Sequence, residues 1–283
     1  EVFHSLTDGT GAMELLKAIG YMYFKLKGYP VLDEGLILTS DVEVRKEELE
    51  DSFIKNYDPK VKMPRQEGAA LHFAGTLYEN QWMAIITGLL DVDQMKQICR
   101  KYESTITEYL GAALVYAAYK SKRIMENKNK PFKLFIPVNL RRFFPTQSLR
   151  NFSLFVRSIL DFNEEWTFDS IIEQVKKDMR EQVQKDLLKA QIVANVKIEK
   201  NILMRIVPLV LKEFVLRLGY KTWGEAPNSM SFSNLGIVKL PKSMEPYVHQ
   251  VNFTSGAATS SPINVGVVSY MDKLNITFTN AIV

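Results

Sequence analysis

A mixed α/β fold is predicted for this chain by the way two kinds of apolar pattern alternate along it. Stretches with a 3.6-residue apolar period are interleaved with short runs rich in β-branched and aromatic residues, and glycine, proline or capping residues punctuate the boundaries. The composition supports a packed core, since 46% of the 283 residues are hydrophobic and 24% are charged.

The first helix is predicted from about Gly11, with Leu15, Leu16, Ile19, Met22, Tyr23 and Leu26 on one stripe and Gly28 and Pro30 ending it. Residues 33–68 read as a surface connection, with a short helix over 45–56. A second unit begins near Gln81, dividing the chain into 1–80 and 81–283. Residues 83–90 read as a strand, and Asp91 caps the helix that carries Met95, Ile98 and Tyr102. Thr105-Ile106-Thr107-Glu108 is a capping box that starts the next helix, with Leu110, Ala113, Leu114 and Ala117. Strands are predicted at 133–138 and 151–159, then helices at 168–194 and 202–218. Four strands close the chain, at 229–232, 248–254, 265–270 and 274–279.

The net charge of +4 is small for this length and does not mark a nucleic-acid binder. Lys120, Lys122, Arg123, Lys128, Lys130 and Lys133 read as a solvated helix end. Cys99 is the single cysteine, which excludes an intramolecular disulfide and a multi-cysteine metal site, and it reads as a buried structural thiol. The most apolar long segment, 202–218, carries four charges and a proline, so no membrane span is expected. His72 and His249 have no ligand spacing and read as structural.

The chemistry-bearing motif stands at the start: His4-Ser5-Leu6-Thr7-Asp8-Gly9, an H-x-x-x-D-G pattern. A near-neutral imidazole takes a proton from an alcohol, thiol or amine as it attacks a carbonyl, a carboxylate four residues on fixes the turn, and glycine relaxes it. A second reading stands beside this one, with His4 a surface turn residue and Asp8 only a helix cap.

This pattern resembles the signature of the superfamily containing chloramphenicol acetyltransferase, condensation domains and alcohol acetyltransferases. Three further segments, in the superfamily's order, resemble its alcohol-acetyltransferase-like branch. They are Thr105-Ile106-Thr107-Glu108-Tyr109-Leu110; Ile136-Pro137-Val138-Asn139-Leu140-Arg141-Arg142-Phe143-Phe144-Pro145 with Leu149-Arg150-Asn151-Phe152; and Ser233-Asn234-Leu235-Gly236 with Leu240-Pro241. The plant branch's Asp-Phe-Gly-Trp-Gly sequence is absent, and Ser233-Asn234-Leu235-Gly236 stands in the comparable stretch.

The resemblance implies a chloramphenicol-acetyltransferase-like fold of two α/β subdomains with a substrate tunnel between them. Residues 1–80 would be the remnant of the N-terminal subdomain with its connecting segment, and 81–283 the C-terminal subdomain. More than a hundred residues usually precede the motif, so the chain is expected to be the greater part of a longer protein. His4 would be the general base, Asp8 its structural partner and Gly9 the turn residue. Asp8 usually pairs with an arginine; Arg141, Arg142 and Arg150 are present, and the sequence does not choose among them. Arg141, Ser233 and Asn234 are candidates at the substrate, with an oxyanion or turn role for the latter two.

The expected reaction moves an acyl group, acetyl first, from acetyl-coenzyme A or another acyl-coenzyme A to a small-molecule alcohol or amine. No metal, no tightly bound cofactor and no nucleic acid are expected, and the expected location is cytoplasmic. The alternatives are a condensation-type domain supplied by an acyl carrier protein and a non-catalytic binding module with the same fold.

Overall fold

The computed structural model describes residues 2, 4–39, 43–61, 68–121, 125–126, 129–200, 208, 213, 219, 227–257 and 261–283. The helices are α1 (Gly9–Leu26), α2 (Ser52–Lys55), α3 (Val92–Lys101), α4 (Ile106–Ser121), α5 (Phe168–Gln182) and α6 (Lys185–Lys200). The strands are β1 (His72–Phe73), β2 (Ala84–Asp91), β3 (Met125–Glu126), β4 (Phe132–Asn139), β5 (Ser153–Leu160), β6 (Met230–Val238), β7 (Ile263–Tyr270) and β8 (Lys273–Asn280).

A six-stranded sheet of order β2-β8-β7-β6-β4-β5 organises the fold, and β1 pairs with β3 apart from it. Its centre is parallel, with β6 between β4 and β7, and the flanking pairs are antiparallel. One face carries the main core, where α3, α4 and α5 bring Met95, Val115 and Ile171 against Leu134, Phe232, Val265 and Val267. The period-2 alternation of a strand sends the next residues of β7 to the opposite face. There Val268 and Tyr270 join Tyr21 of α1 and Val238, Leu240, Met244 and Val251 in a second cluster. A third cluster sets α6, through Leu188, Ile192 and Val196, on Leu140, Phe144, Phe152 and Leu154.

The capping signals read from the sequence operate here. Thr105 Oγ1 accepts from the Glu108 N–H at 3.1 Å, and Glu108 Oε2 accepts from the Thr105 N–H at 2.7 Å. Asp91 Oδ1 accepts from the Gln94 N–H at 2.7 Å. Cys99 is buried on α3, and burial pushes its thiol above the usual range.

Several expectations are corrected. The helix expected over 168–194 is two, α5 and α6, parted at Val183, whose ψ of 55° is not helical. The helix expected over 45–56 is a 3₁₀ turn (Lys46–Leu49) followed by α2, because Asp51 caps a new start. Residues 248–254 form no strand; they lie over the sheet, and Phe253 closes on Gly266 so tightly that a side chain there would overlap its carbonyl and ring. Lys133 is not a solvated lysine, for it is buried and its Nζ donates to the Gly68 carbonyl at 2.7 Å. The helix expected over 202–218 lies outside the described residues apart from 208 and 213.

The stripe of α1 is also turned. Leu15, Leu16, Ile19, Met22, Tyr23 and Leu26 are exposed, while Gly11 and Tyr21 are buried and Met13, Ala18 and Phe24 pack on the second cluster. Among the described residues, no helix is long and apolar enough to cross a membrane.

Candidate active site

The motif is a short turn rooted by one carboxylate. His4, Ser5 and Leu6 form the turn and are exposed, whereas Asp8 is only 5% exposed. Asp8 stands at the N-cap of α1, where its backbone is extended and its Oδ1 accepts from the N–H groups of Thr10 (3.0 Å) and Gly11 (3.2 Å). A negative charge at that position also meets the positive end of the helix dipole. Helix α1 therefore starts at Gly9, two residues earlier than expected.

The other carboxylate oxygen fastens the motif to a distant loop. Asp8 Oδ2 accepts from Arg141 Nη1 at 2.6 Å and from the Phe152 N–H at 2.8 Å. Arg141, at the 3₁₀ turn ending β4, is itself committed on every side. Its Nε and Nη2 donate to the Ser148 carbonyl at 3.1 and 2.9 Å, and Nη2 donates to the Arg150 carbonyl at 2.7 Å. Of the three arginines, then, Arg141 is the one paired with Asp8. Its guanidinium faces the protein's own carbonyls and carboxylate. Arg150 instead lies 3.9 Å from Asp51.

Residues that the sequence did not single out complete the anchorage. Thr7 Oγ1 donates to the Leu149 carbonyl at 2.5 Å, and Asn139 Nδ2 donates to Thr10 Oγ1 at 3.0 Å. The loop so gripped is held from its far side as well, where the Leu149 N–H donates to the Glu48 carbonyl and Ser148 Oγ to the Glu50 carbonyl. Thr7 and Asn139 both lie within segments picked out above, yet nothing in a threonine or an asparagine by itself marks such a contact.

The third segment arrives through an irregularity in β6. The register with β7 shifts between Asn234 and Ile237, and Gly236 takes a φ of 79°, which favours glycine. Asn234 Oδ1 accepts from the Gly236 N–H at 2.9 Å and its Nδ2 donates to Thr107 Oγ1 at 3.0 Å. Asn234 thus holds the bulge and ties it to α4. The bulge carries Leu235 against Gly9, where any Cβ would overlap the leucine side chain. Glycine at position 9 lets Leu235 sit this close, and a Cβ there would make the leucine side chain shift; the φ of Gly9 is not in the left-handed region, contrary to the expectation of a relaxed turn. Ser233 is half-buried in β6 opposite Gly266, with no hydrogen bond from its hydroxyl among the described residues.

All four segments quoted for the resemblance are therefore joined: the motif to 139–152, the motif to Leu235, and Asn234 to Thr107. The His4 side chain, at the exposed end of the turn, has no hydrogen-bond partner among the described residues.

No curated protein matches the sequence. Among solved structures, the chain is similar to the epimerization domain from the third module of tyrocidine synthetase B, with a TM-score of 0.53 at 12% identity over 99% of this chain and 62% of that one. It is also similar to TRI3 trichothecene 15-O-acetyltransferase from Fusarium sporotrichioides, with a TM-score of 0.52 at 12% identity over 97% of this chain and 59% of that one. Polyketide synthase associated protein 5 from Mycobacterium tuberculosis gives 0.52 at 12% identity over 99% and 67%. The chain spans about three fifths of the length of the first two. At such identities these likenesses show the fold, which is chloramphenicol-acetyltransferase-like. A family model described as alcohol acetyltransferase matches residues 79–280, so the motif lies before the matched region and its partners Arg141, Phe152 and Leu235 lie within it. That match takes in well over half of the sequence, and the chain belongs to the alcohol acetyltransferase family.

Proposed function

We propose that this chain carries the acyl-transfer centre of an acyl-coenzyme A-dependent alcohol acetyltransferase, with His4 as general base. The observation that carries the reading is the contrast within the motif: Asp8 is fixed by four hydrogen bonds while His4 stands exposed at the end of the turn it anchors. A buried carboxylate satisfied in this way is a brace, and an imidazole displayed by a braced turn is available for proton transfer.

The chemistry runs without a covalent enzyme intermediate. His4 accepts the proton of an alcohol or amine as its oxygen or nitrogen attacks the thioester carbonyl carbon. The carbon–sulfur bond then breaks, and the imidazolium returns its proton to the departing thiolate. Ser233, on the face of the sheet where α1 packs, is the group left to polarise the carbonyl oxygen, since both ends of the Asn234 carboxamide are engaged. Arg141 acts through Asp8 as a positioning residue.

The test is thiol release from acetyl-coenzyme A in the presence of an alcohol panel. His4→Ala is expected to lower kcat/KM by about 10²–10⁴-fold while leaving the thermal unfolding midpoint in place. Equal thiol release by wild type and His4→Ala would overturn the assignment.

A further inference from the structure

Beside the motif helix lies a half-open cavity of about 270 Å³, bordered by α1 on one side and residues 238–252 on the other. Met13, Gly20 and Phe24 line it from the helix, and Leu240, Met244 and Val251 face them. From Met13 to Phe24 it follows the helix for about 16 Å at 1.5 Å per residue. Lys17 is the one charged side chain in its lining among the described residues, and that ammonium is held by both Glu14 oxygens at 3.0 and 2.9 Å. Gln250 and Asn252 are its polar lining, with Gln250 Nε2 donating to Asn252 Oδ1 at 2.6 Å, and the remainder is apolar, so the space suits an uncharged, extended, largely apolar occupant.

Gly20 gives the cavity a second mark. A glycine inside a helix costs about 1 kcal/mol relative to alanine. Gly9 and Gly11 of the same helix have a packing reason, because a Cβ on either would collide with its neighbours. Gly20 has none: a Cβ there would meet only the Met244 methyl at 3.8 Å, an ordinary contact. The missing side chain leaves space in the cavity instead of admitting a close neighbour.

The lining residue nearest the motif is Met13, five positions after Asp8 on the same helix and so about 7.5 Å along its axis. Leu235, which packs on Gly9, belongs to the same apolar cluster as Met13 and Phe24. We propose that this cavity binds the unbranched aliphatic chain of a medium-length substrate and that Gly20 sets the length admitted. The proposal rests on the acyl-transfer reading only for the reaction that the chain enters. An acyl group and an alcohol present the same methylene chain, so the experiment separates the two sources.

One series varies acyl-coenzyme A from acetyl to decanoyl with ethanol as acceptor; the other varies the alcohol from ethanol to decanol with acetyl-coenzyme A. Each is run on wild type, Gly20→Ala and Gly20→Leu, with thermal melts confirming folding and calorimetric binding of octanoyl-coenzyme A and decanol alongside. At about fourfold per buried methylene, Gly20→Ala should lower the decyl-to-short-chain ratio of kcat/KM about fourfold and Gly20→Leu about a hundredfold. The series in which the ratio falls identifies the chain as donor or acceptor. Wild type that turns over nothing but binds a long-chain probe at least tenfold more tightly than Gly20→Leu supports the cavity and removes the acyl-transfer reading. Folded Gly20→Leu with ratios and binding equal to wild type, or wild type that binds neither probe, overturns the proposal.

Discussion

A single methyl separates glycine from alanine, and at Gly9 and Gly11 that methyl would strike different things. At Gly9 it meets the tip of the Leu235 side chain, which can rotate away. At Gly11 it meets the Thr7 hydroxyl and the Leu149 carbonyl, a backbone atom held in turn by the loop around it. Gly11→Ala is therefore expected to lower the unfolding free energy by about 1–3 kcal/mol, and Gly9→Ala by clearly less, in urea titrations of the two variants. The sequence points the other way, since Gly9 is the motif letter and Gly11 lies two residues beyond it. Arg141 teaches the same lesson. Three arginines between 141 and 150 look alike in one dimension, and only the turn ending β4 aims one of them at Asp8. The Asp8 cap was legible because an aspartate ahead of an apolar period is a local pattern; the groups that hold its other oxygen were not, because a hydrogen bond across 144 positions leaves none.

Helix α4 shows what an element adds to its residues. Its capping box was readable from Thr105 and Glu108, but the buried Glu108 also accepts from Arg180 of α5 at 2.8 Å, which no spacing within α4 reveals. Burial pushes the Glu108 carboxyl up, and the Arg180 guanidinium together with the Thr105 N–H outweighs it, leaving the group below its ordinary range. A depressed folded value means that ionised Glu108 stabilises the protein fully above the unfolded carboxylate's range and ceases to do so as pH falls through the folded value. Glu108→Gln is expected to cost about 1–2 kcal/mol at neutral pH, the low side for a hydrogen bond to charge because Arg180 is half exposed. The gap should narrow below about pH 4, measured as urea midpoints across pH. Elsewhere, element type was easier to read than element orientation. Periodicity placed α1 where it is, yet amphipathicity does not say which neighbours exist, and its most apolar stripe points outward. The alternation at 248–254 looks like a strand; its backbone instead passes over β7, whose Gly266 provides the room.

At the scale of the molecule, the sheet divides the protein into a closed face and a more open one. Helices α3, α4 and α5 seal the first; on the second, α1 packs through a few residues and leaves Leu15 and Ile19 half exposed. Leu15→Glu and Ile19→Glu are each expected to change the unfolding free energy of this chain by less than about 0.5 kcal/mol, while reducing its binding of a hydrophobic dye. Fold class was legible from the alternation of patterns. The strand order was not, since the sequence does not show that β6 lies between β4 and β7. That order bears on when the motif can exist. Asp8 finds Arg141 and Phe152 across 133 and 144 residues, and neither is in place until β4 and β5 have paired. Closing such long loops costs only about 0.6 kcal/mol more for each doubling of length, but the gain comes after the ends have met. The turn bearing His4 is thus expected to order late in folding, after β4 and β5 pair, and a chain stalled before that point would have the histidine without the brace.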